Sequence, residues 1–151
     1  PISDVLLQNP DSSAGLQTAQ DKGVLAFGWD SDMTAYAPKA HLASAIENWG
    51  PYYVKVAEAA LAGKPLTTPV WGGMKEGMNG LSSVSKLVPA AVQKEVDAKK
   101  ADLVAGKFKV FAGPLKLQDG SIKLQAGQAM TDSEIDSIKF YVEGVEGQLP
   151  N

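Results

Sequence analysis

The hydrophobic positions of this chain form two alternating patterns, short uninterrupted runs and longer stretches with helical spacing. Residues 4–8 (DVLLQ) and 24–28 (VLAFG) are apolar runs without polar alternation, which is typical of strands buried on both faces. Between them, residues 12–23 have the spacing of a short helix, with serines at its start and Gly23 just past its end. A strand, a helix and a second strand in this order predict a βαβ unit, and therefore a parallel sheet in an α/β fold.

The middle of the chain combines an ambiguous segment, a helix and a loop region. Residues 40–50 (AHLASAIENWG) fit a strand or a helix equally well. Residues 52–63 place apolar residues at helical spacing and end on a glycine, which predicts a helix. Residues 64–83 are rich in proline, glycine and threonine, which predicts a loop that contains one strand at 69–75.

The last third of the chain predicts two helices, a strand and a hairpin. Residues 87–106 form the first helix, because a proline stands in the first turn and a glycine closes the segment. A strand is predicted at 107–113, followed by a hairpin over 115–124. Its turn is assigned to Asp119–Gly120, on the expectation that both central residues take positive φ. Residues 131–145 open with a capping box, a threonine followed by a glutamate three positions later, which predicts the second helix.

The composition narrows the class of protein. The chain has 151 residues, 44% of them hydrophobic and 21% charged, which predicts one domain with a sizeable core. A net charge of -3 leaves no basic surface for a phosphate backbone, so we expect no nucleic-acid partner. The absence of cysteine removes disulfides, thiolate metal sites and cysteine nucleophiles, but it leaves the cellular compartment open.

No complete catalytic or metal-binding set is present in the sequence. The single histidine, His41, has no serine or cysteine partner in a recognisable nucleophile motif, so we interpret it as structural. Asp30 and Asp32 are two carboxylates without a histidine or third acid, which is too few ligands for a usual metal site. The glycine-containing segments match neither common phosphate-binding motif. We therefore predict no catalytic residue, no metal and no cofactor.

Polar and aromatic residues follow each of the predicted strands. In open α/β sheets ligands bind outside the carboxyl ends of the strands. Tryptophan offers a flat surface for a ring, while a carboxylate accepts hydrogen bonds from the polar edge of a ligand. These features predict a site for a ring-bearing polar small molecule, formed by Asp30, Trp29, Asn9, Asp11 and Trp49. The alternative interpretation is that the tryptophans fill the core and Asp30 caps a turn.

Four residues are assigned structural roles. We expect His41 and Trp71 to serve the fold rather than the ligand. Gly72 and Gly73 are expected at a hinge or a close turn, because glycine is the residue that tolerates such backbone geometry.

Six segments, in order and in spacing, resemble the second half of the basic membrane protein family of solute-binding proteins. They are DVLLQNPDS, GWDSDM, APKAHLASAIENWGPYY, VWGGMKEGM, AGKFKVFAGP and VEGVEGQLP. The resemblance implies a type I periplasmic binding-protein fold, with two hinged α/β lobes that close over a purine base or nucleoside. It also implies delivery to an ABC permease without a chemical step, in the periplasm or at the outer face of the cytoplasmic membrane, as a secreted protein or a lipoprotein.

Two departures from the family change the expectation. Nucleoside-binding relatives carry GVDxDQ at a strand end and a lysine in an LTSxxK segment. Asp30 matches the aspartate, but Glu47 stands at the lysine position, so a free purine base such as adenine is favoured over a nucleoside. The family's N-terminal lobe has no counterpart here, and the chain begins at Pro1, so we expect residues 1–151 to be the C-terminal half of a two-lobed protein.

The expected missing lobe has a structural consequence. Residues 1–151 would form mostly the C-terminal lobe with its hinge crossings, and the helix near 51–63 would pack on the absent lobe or on another chain. Its apolar face, including Tyr53, Val56 and Ala60, would then lie exposed. Two other function classes stay open: a sensory or regulatory module on the same fold, and an enzyme that acts on a purine nucleoside.

Overall fold

The computed structural model describes residues 3–65 and 70–149. The chain divides into two compact units, Pro1–Ala105 and Gly106–Asn151. The first unit contains one four-stranded sheet in the order β1-β2-β3-β4. Its strands are β1 (Val5–Leu7), β2 (Leu25–Gly28), β3 (His41–Glu47) and β4 (Asn79–Leu81). β1, β2 and β3 are parallel, and β4 is antiparallel to β3, so the predicted α/β fold with a parallel sheet is confirmed.

The helices of the first unit lie between these strands and after β4. They are α1 (Ala14–Asp21), a 3-10 turn (Thr34–Tyr36), α2 (Gly50–Leu61) and α3 (Ala90–Val104). The second unit holds the hairpin β5 (Leu115–Lys116) and β6 (Ile122–Leu124), followed by α4 (Asp132–Asp136). None of the helices in the two described ranges is long and apolar enough to cross a membrane.

The core of the first unit lies where α1 covers the sheet. Six buried residues form one cluster, against which Leu6 and Val24 pack: Leu16, Ala19, Ala26, Met33, Ala37 and Ala40. The cluster joins α1, β2 and the connection from β2 to β3. Removing this apolar surface from water fixes the position of the loop that leaves β2.

The ambiguous segment 40–50 is a strand for most of its length. His41–Glu47 pairs with β2 on one side and with β4 on the other, and α2 begins at Gly50. Its first four residues are buried, as expected for a central strand covered on both faces.

The strand predicted at 69–75 is wrong. Position 69 lies outside the described residues, and 70–75 form no strand. A turn follows instead, in which the N–H of Met78 donates to the carbonyl of Gly73 at 3.0 Å. A Cβ at Gly72 would lie 2.5 Å from the Met78 sulfur, so the methionine side chain would have to shift to admit it. The strand forms after the turn, as β4.

The strand predicted at 107–113 is also wrong. Ala112 forms an isolated bridge with Ala129, while residues 107–111 form no strand. Alternation of polar and apolar residues is a local signal, and a strand also needs a neighbouring chain to accept its hydrogen bonds. Here the pairing stops after two bonds, from Met130 to the Phe111 carbonyl and from Gly113 to the Gln128 carbonyl.

The hairpin over 115–124 is present, but its turn differs from the one predicted. Gly120 has a φ of +83°, whereas Asp119 is not among the residues with positive φ. Gly120 donates to the Leu117 carbonyl, and Leu117 donates to the carbonyl of Ser121. The connection is thus a three-residue loop closed by a glycine bulge, rather than a two-residue turn.

The predicted capping box is confirmed at the start of α4. The N–H of Glu134 donates to the Thr131 hydroxyl, and the Glu134 carboxylate accepts from the Thr131 N–H. The helix ends at Asp136, well short of the predicted 145. The box fixes where the helix starts but carries no information on how far it continues.

Candidate functional site

The candidate site lies at the edge of the sheet where β1, β2 and β3 end, which we name the strand-end edge. Because the three strands are parallel, the segments 8–11, 29–32 and 48–49 all leave the sheet at this edge. These segments contain all five residues predicted to bind a ligand. The structure thus places the five at one edge, and their binding role stays a prediction.

Asp30 has an unusual backbone at the end of β2. Its φ is +70°, the one positive φ outside glycine in the described parts of the chain. The N–H of Ser31 donates to the carbonyl of Trp29 at 2.8 Å, which closes a three-residue turn with Asp30 at its centre. Such a conformation costs on the order of 1–3 kcal/mol and persists only when the surroundings hold it. We name residues 29–31 the Asp30 turn.

The Asp30 turn is held on both sides by β3. The N–H of Glu47 donates to the Asp30 carbonyl at 2.9 Å. Two residues past the turn, the N–H of Met33 donates to the Ser44 hydroxyl oxygen at 3.1 Å. Both Met33 and Ser44 are buried, so the second bond is shielded from water.

Ser44 is also bonded to His41 on the same strand. Residues three apart on a regular strand face opposite sides of a sheet. The register between β2 and β3 shifts here, with Ala26 opposite His41 and Gly28 opposite Ser44. The bulge brings the two side chains together, and Ser44 Oγ lies 2.8 Å from His41 Nε2.

The hydrogen-bond directions around His41 assign its tautomer. The Thr34 hydroxyl donates to Asp32 Oδ1 at 2.5 Å, so its oxygen accepts from His41 Nδ1 at 3.1 Å. In the neutral ring, Nε2 then carries no proton and accepts from the Ser44 hydroxyl. One chain of hydrogen bonds runs from the exposed Asp32 and Thr34 to three buried residues. We name these three, His41, Ser44 and Met33, the buried relay.

Two groups along this chain of hydrogen bonds, Asp32 and His41, have shifted pKa values. Hydrogen bonds from the Thr34 hydroxyl and N–H hold the pKa of the Asp32 carboxyl below its usual range. Burial lowers the pKa of His41, and the nearby Asp32 carboxylate offsets only part of this effect. His41 is therefore neutral at neutral pH, in agreement with the assigned tautomer.

The interpretation of His41 as a structural residue agrees with its contacts. A serine that the sequence did not indicate nevertheless lies within hydrogen-bond distance of it. The sequence spacing did not predict this hydrogen bond, because a bulge rather than the local pattern brings His41 next to Ser44. Ser44 is 0% exposed and His41 2% exposed, so a substrate has no access to this hydroxyl. The two side chains share a hydrogen bond, as a nucleophile and its general base do, but they have no other feature of such a pair.

Trp49 stands at the end of β3, where α2 begins. It is 48% exposed, and its indole N–H donates to the Glu47 carboxylate at 2.8 Å. Its ring packs against those of Tyr52 and Tyr53, with centroids 6.0 and 6.4 Å away. Glu47 and the two tyrosines therefore hold a half-exposed aromatic surface at the strand-end edge.

A further segment at this edge was missed by the sequence analysis. β4 is antiparallel to β3, and Asn79 pairs with Glu47, so the preceding loop reaches the strand-end edge. Asn48 donates to the Met78 carbonyl at 2.7 Å and, through its side chain, to the Gly77 carbonyl at 3.0 Å. No local pattern identified this placement, since it depends on strand pairing across some thirty intervening positions.

The remaining predicted residues differ in burial. Trp29 and Asp30 are half-buried, whereas Asn9 and Asp11 are exposed in the loop after β1. The buried side chain there is Gln8, which donates to the Ser12 carbonyl at 3.1 Å. Trp71 is 58% exposed, so the alternative that it fills the core is wrong.

Other features of the first unit offer weaker sites. An open hollow of about 600 Å³ lies between β1 and α1, and its lining is mostly apolar with Lys22 at the rim. Among the described residues, no group of three or more histidine, cysteine, aspartate or glutamate side chains is arranged to hold a metal ion.

Aromatic and carboxylate side chains outside the ends of parallel strands are typical of α/β proteins that bind ligands at this edge. The chain belongs to the family described as Bmp, ABC transporter substrate-binding protein PnrA-like, which matches residues 4–112. This match agrees with the resemblance found in the sequence.

Two relatives extend the comparison over nearly the whole chain. A purine-binding protein of Brucella abortus is 39% identical over 97% of this chain and 42% of its own length. A second protein, provisionally named an ABC transporter glucose-binding protein, comes from Haloferax volcanii and is 28% identical. That alignment covers 98% of this chain and 35% of the relative, so the chain spans less than half of either protein.

Two solved structures share the fold. A transcriptional activator of the comK gene from Bacillus halodurans has a TM-score of 0.62 at 22% identity, over 70% of this chain and 38% of its own. An ABC transporter solute-binding protein from Conexibacter woesei has a TM-score of 0.53 at 20% identity, over 72% of this chain and 37% of its own. At these identities the likeness concerns the fold alone.

Proposed function

We propose that this chain forms one wall of the binding cleft of an ABC-transporter receptor that captures a purine base and releases it unchanged. The observation that carries the proposal is the strand-end edge, where the Asp30 turn and the Trp49 ring leave the same sheet. An aromatic face stacks on a flat heterocycle, and a carboxylate accepts from its N–H groups. The 39% identity to a purine-binding protein supports the same ligand class.

Glu47 favours a free base over a nucleoside within this proposal. Its carboxylate accepts hydrogen bonds and offers no donors, whereas a lysine at this position would supply donors to ribose oxygens. The Glu47 carboxylate also accepts a hydrogen bond from the Trp49 indole, so the two side chains lie next to each other. In this proposal both therefore contact the same ligand. Adenine, with N–H donors on its ring edge and its amino group, suits such an acceptor-rich site.

The chain spans 42% of the purine-binding relative, and the proposal assigns the other wall of the cleft to the remainder of the protein. α2 has no buried residue, and its Tyr53 and Leu61 are 63% and 90% exposed. Val56 is half-buried and Ala60 exposed on the same helix. We propose that this face packs on the second lobe, and that the closed receptor delivers its ligand to a permease outside the cytoplasmic membrane.

Calorimetric titration of the full-length protein tests the proposal. The ligands are adenine, guanine, adenosine, inosine and glucose, the last because of the Haloferax volcanii relative. We expect saturable binding of adenine or guanine, weaker binding of the nucleosides, and a tryptophan fluorescence change on binding. Chromatography of the mixture should recover the ligand unchanged. Binding of glucose alone would overturn the ligand class, and a reaction product from adenosine would favour an enzyme.

A further inference from the structure

We propose that His41 and Ser44 are positioning residues that hold the Asp30 turn in its ligand-binding geometry, and that acidification releases the turn. The inference rests on the proposed function, because Asp30 is the side chain that this turn presents to the purine. Neither His41 nor Ser44 contacts the ligand, since both side chains are buried. They act through the loop that carries Trp29 and Asp30.

The Asp30 turn is strained and needs anchors at both ends. A left-handed aspartate relaxes to a negative φ unless both ends of its turn are fixed. The Glu47 N–H fixes the Asp30 carbonyl on one side, and the Ser44 hydroxyl fixes the Met33 N–H on the other. Loss of either anchor would allow the carboxylate to move.

The anchor formed by the Ser44 hydroxyl depends on the protonation state of His41. In the assigned tautomer the Ser44 hydroxyl donates to His41 Nε2, which leaves its oxygen lone pairs free to accept from Met33. A protonated Nε2 becomes a donor to the same oxygen, and the Ser44 proton then loses its acceptor. Because all three groups are buried, this rearrangement costs the desolvation of an unpaired donor.

The groups around His41 determine which form of its imidazole ring is favoured. The Asp32 carboxylate, in the β2–β3 connection, is the charged group that acts on it, and Thr34 and Ser44 contribute the neutral hydroxyls. Burial lowers the pKa of His41 despite Asp32, so the held geometry favours the neutral ring. An unrestrained imidazole takes up its proton near pH 6.5, and the held geometry therefore loses stability as the pH falls below about this value.

The affinity of the full-length protein for adenine, measured between pH 7.5 and pH 5.0, tests the inference. We expect the affinity of the wild-type protein to fall several-fold toward pH 5.0, because protonation of His41 disfavours the held geometry. His41→Gln, which cannot titrate, should bind more weakly at pH 7.5 and show no such loss. Ser44→Ala should bind about tenfold more weakly and lose the same pH dependence. A pH-independent wild type, or an unchanged slope in His41→Gln, would overturn the inference.

Ser82→Ala is the matched control for Ser44→Ala. The Ser82 hydroxyl accepts from the N–H of Ser44 at 2.8 Å and belongs to the chain that follows β4, so it touches the same residue without touching the loop. This variant should lower stability but keep the wild-type affinity and pH dependence. An equal loss of affinity in both variants would mean that Ser44 contributes only to general stability.

Two measurements without ligand separate this inference from the proposed function. The imidazole nitrogen shifts, assigned by their loss in His41→Gln, should show a proton on Nδ1 at pH 7.5. Amide exchange of Met33 should be faster in Ser44→Ala than in Ser82→Ala, and faster in the wild type at pH 5.0 after correction for intrinsic rates. If no purine binds, the proposed function fails, while these results still decide whether His41 and Ser44 hold the loop. A proton on Nε2 at pH 7.5, or equal exchange in the two variants, would overturn the anchor.

Discussion

Asp30→Asn is expected to weaken adenine binding by about 10- to 100-fold. A hydrogen bond to a charged group contributes about 1.5–3 kcal/mol, and each 1.4 kcal/mol corresponds to a factor of ten. Asparagine tolerates the left-handed backbone of the Asp30 turn, with its φ of +70°, so the substitution removes charge and preserves the turn. Calorimetry on the full-length protein gives the change in affinity, and urea unfolding shows whether stability has changed.

Three further variants separate the carboxylate from the backbone. Asp30→Gly keeps the left-handed conformation without strain and should lose at least as much affinity as Asp30→Asn. Asp30→Ala adds the cost of a left-handed alanine, roughly 1–2 kcal/mol, and should be less stable than the glycine variant. Asp21→Asn makes the same change in net charge at the far end of α1 and should leave affinity unaltered. Wild-type affinity in Asp30→Gly would remove the Asp30 carboxylate from the site.

The parts of the fold that could be predicted from the sequence are those set by neighbouring residues. β1, α1 and β2 follow from two apolar runs and a helical spacing between them, and their parallel pairing follows from the chirality of such units. The same pattern placed Trp29 and Asp30 at a strand end. Local spacing therefore located the edge at which the site lies.

The parts that could not be predicted depend on contacts between distant residues. The loop that ends at Met78 reaches the site only because β4 pairs with β3 in the antiparallel sense. The Ser44–His41 bond exists only because a bulge shifts the register between β2 and β3. The residues 107–111 have the alternation of a strand but lack its continued pairing. In each case the deciding partner is far away along the chain.

The backbone of Asp30 is likewise invisible in the sequence. GWDSDM contains a glycine that could have taken a positive φ, yet the left-handed residue is Asp30, two positions later. Gly28 is needed for a different reason, the close approach of Ser44 and Met33. The glycine thus makes room for the buried relay, and the relay in turn holds the strained aspartate.

Gly28→Ala is expected to destabilise the protein by about 1–3 kcal/mol, the usual cost of overpacking a closed core. An alanine Cβ would overlap Ser44 Oγ and lie 2.9 Å from the Met33 Cβ, and both neighbours are buried. To relieve this overlap, either Ser44 must leave Met33 or the loop must move away from β3. Adenine affinity should therefore fall together with stability, which urea unfolding and calorimetry would show.

Gly80→Ala is the matched control, because the same methyl group is added to a strand of the same sheet. Its Cβ would lie 3.6 Å from Ile46 Cγ1, an ordinary van der Waals contact. Alanine also restricts the unfolded chain, so stability should stay constant or rise by about 0.4–1 kcal/mol. If Gly28→Ala were as stable and as tight in binding as Gly80→Ala, the loop after β2 would have room to adapt. The packing of Ser44 and Met33 would then not determine where Asp30 points.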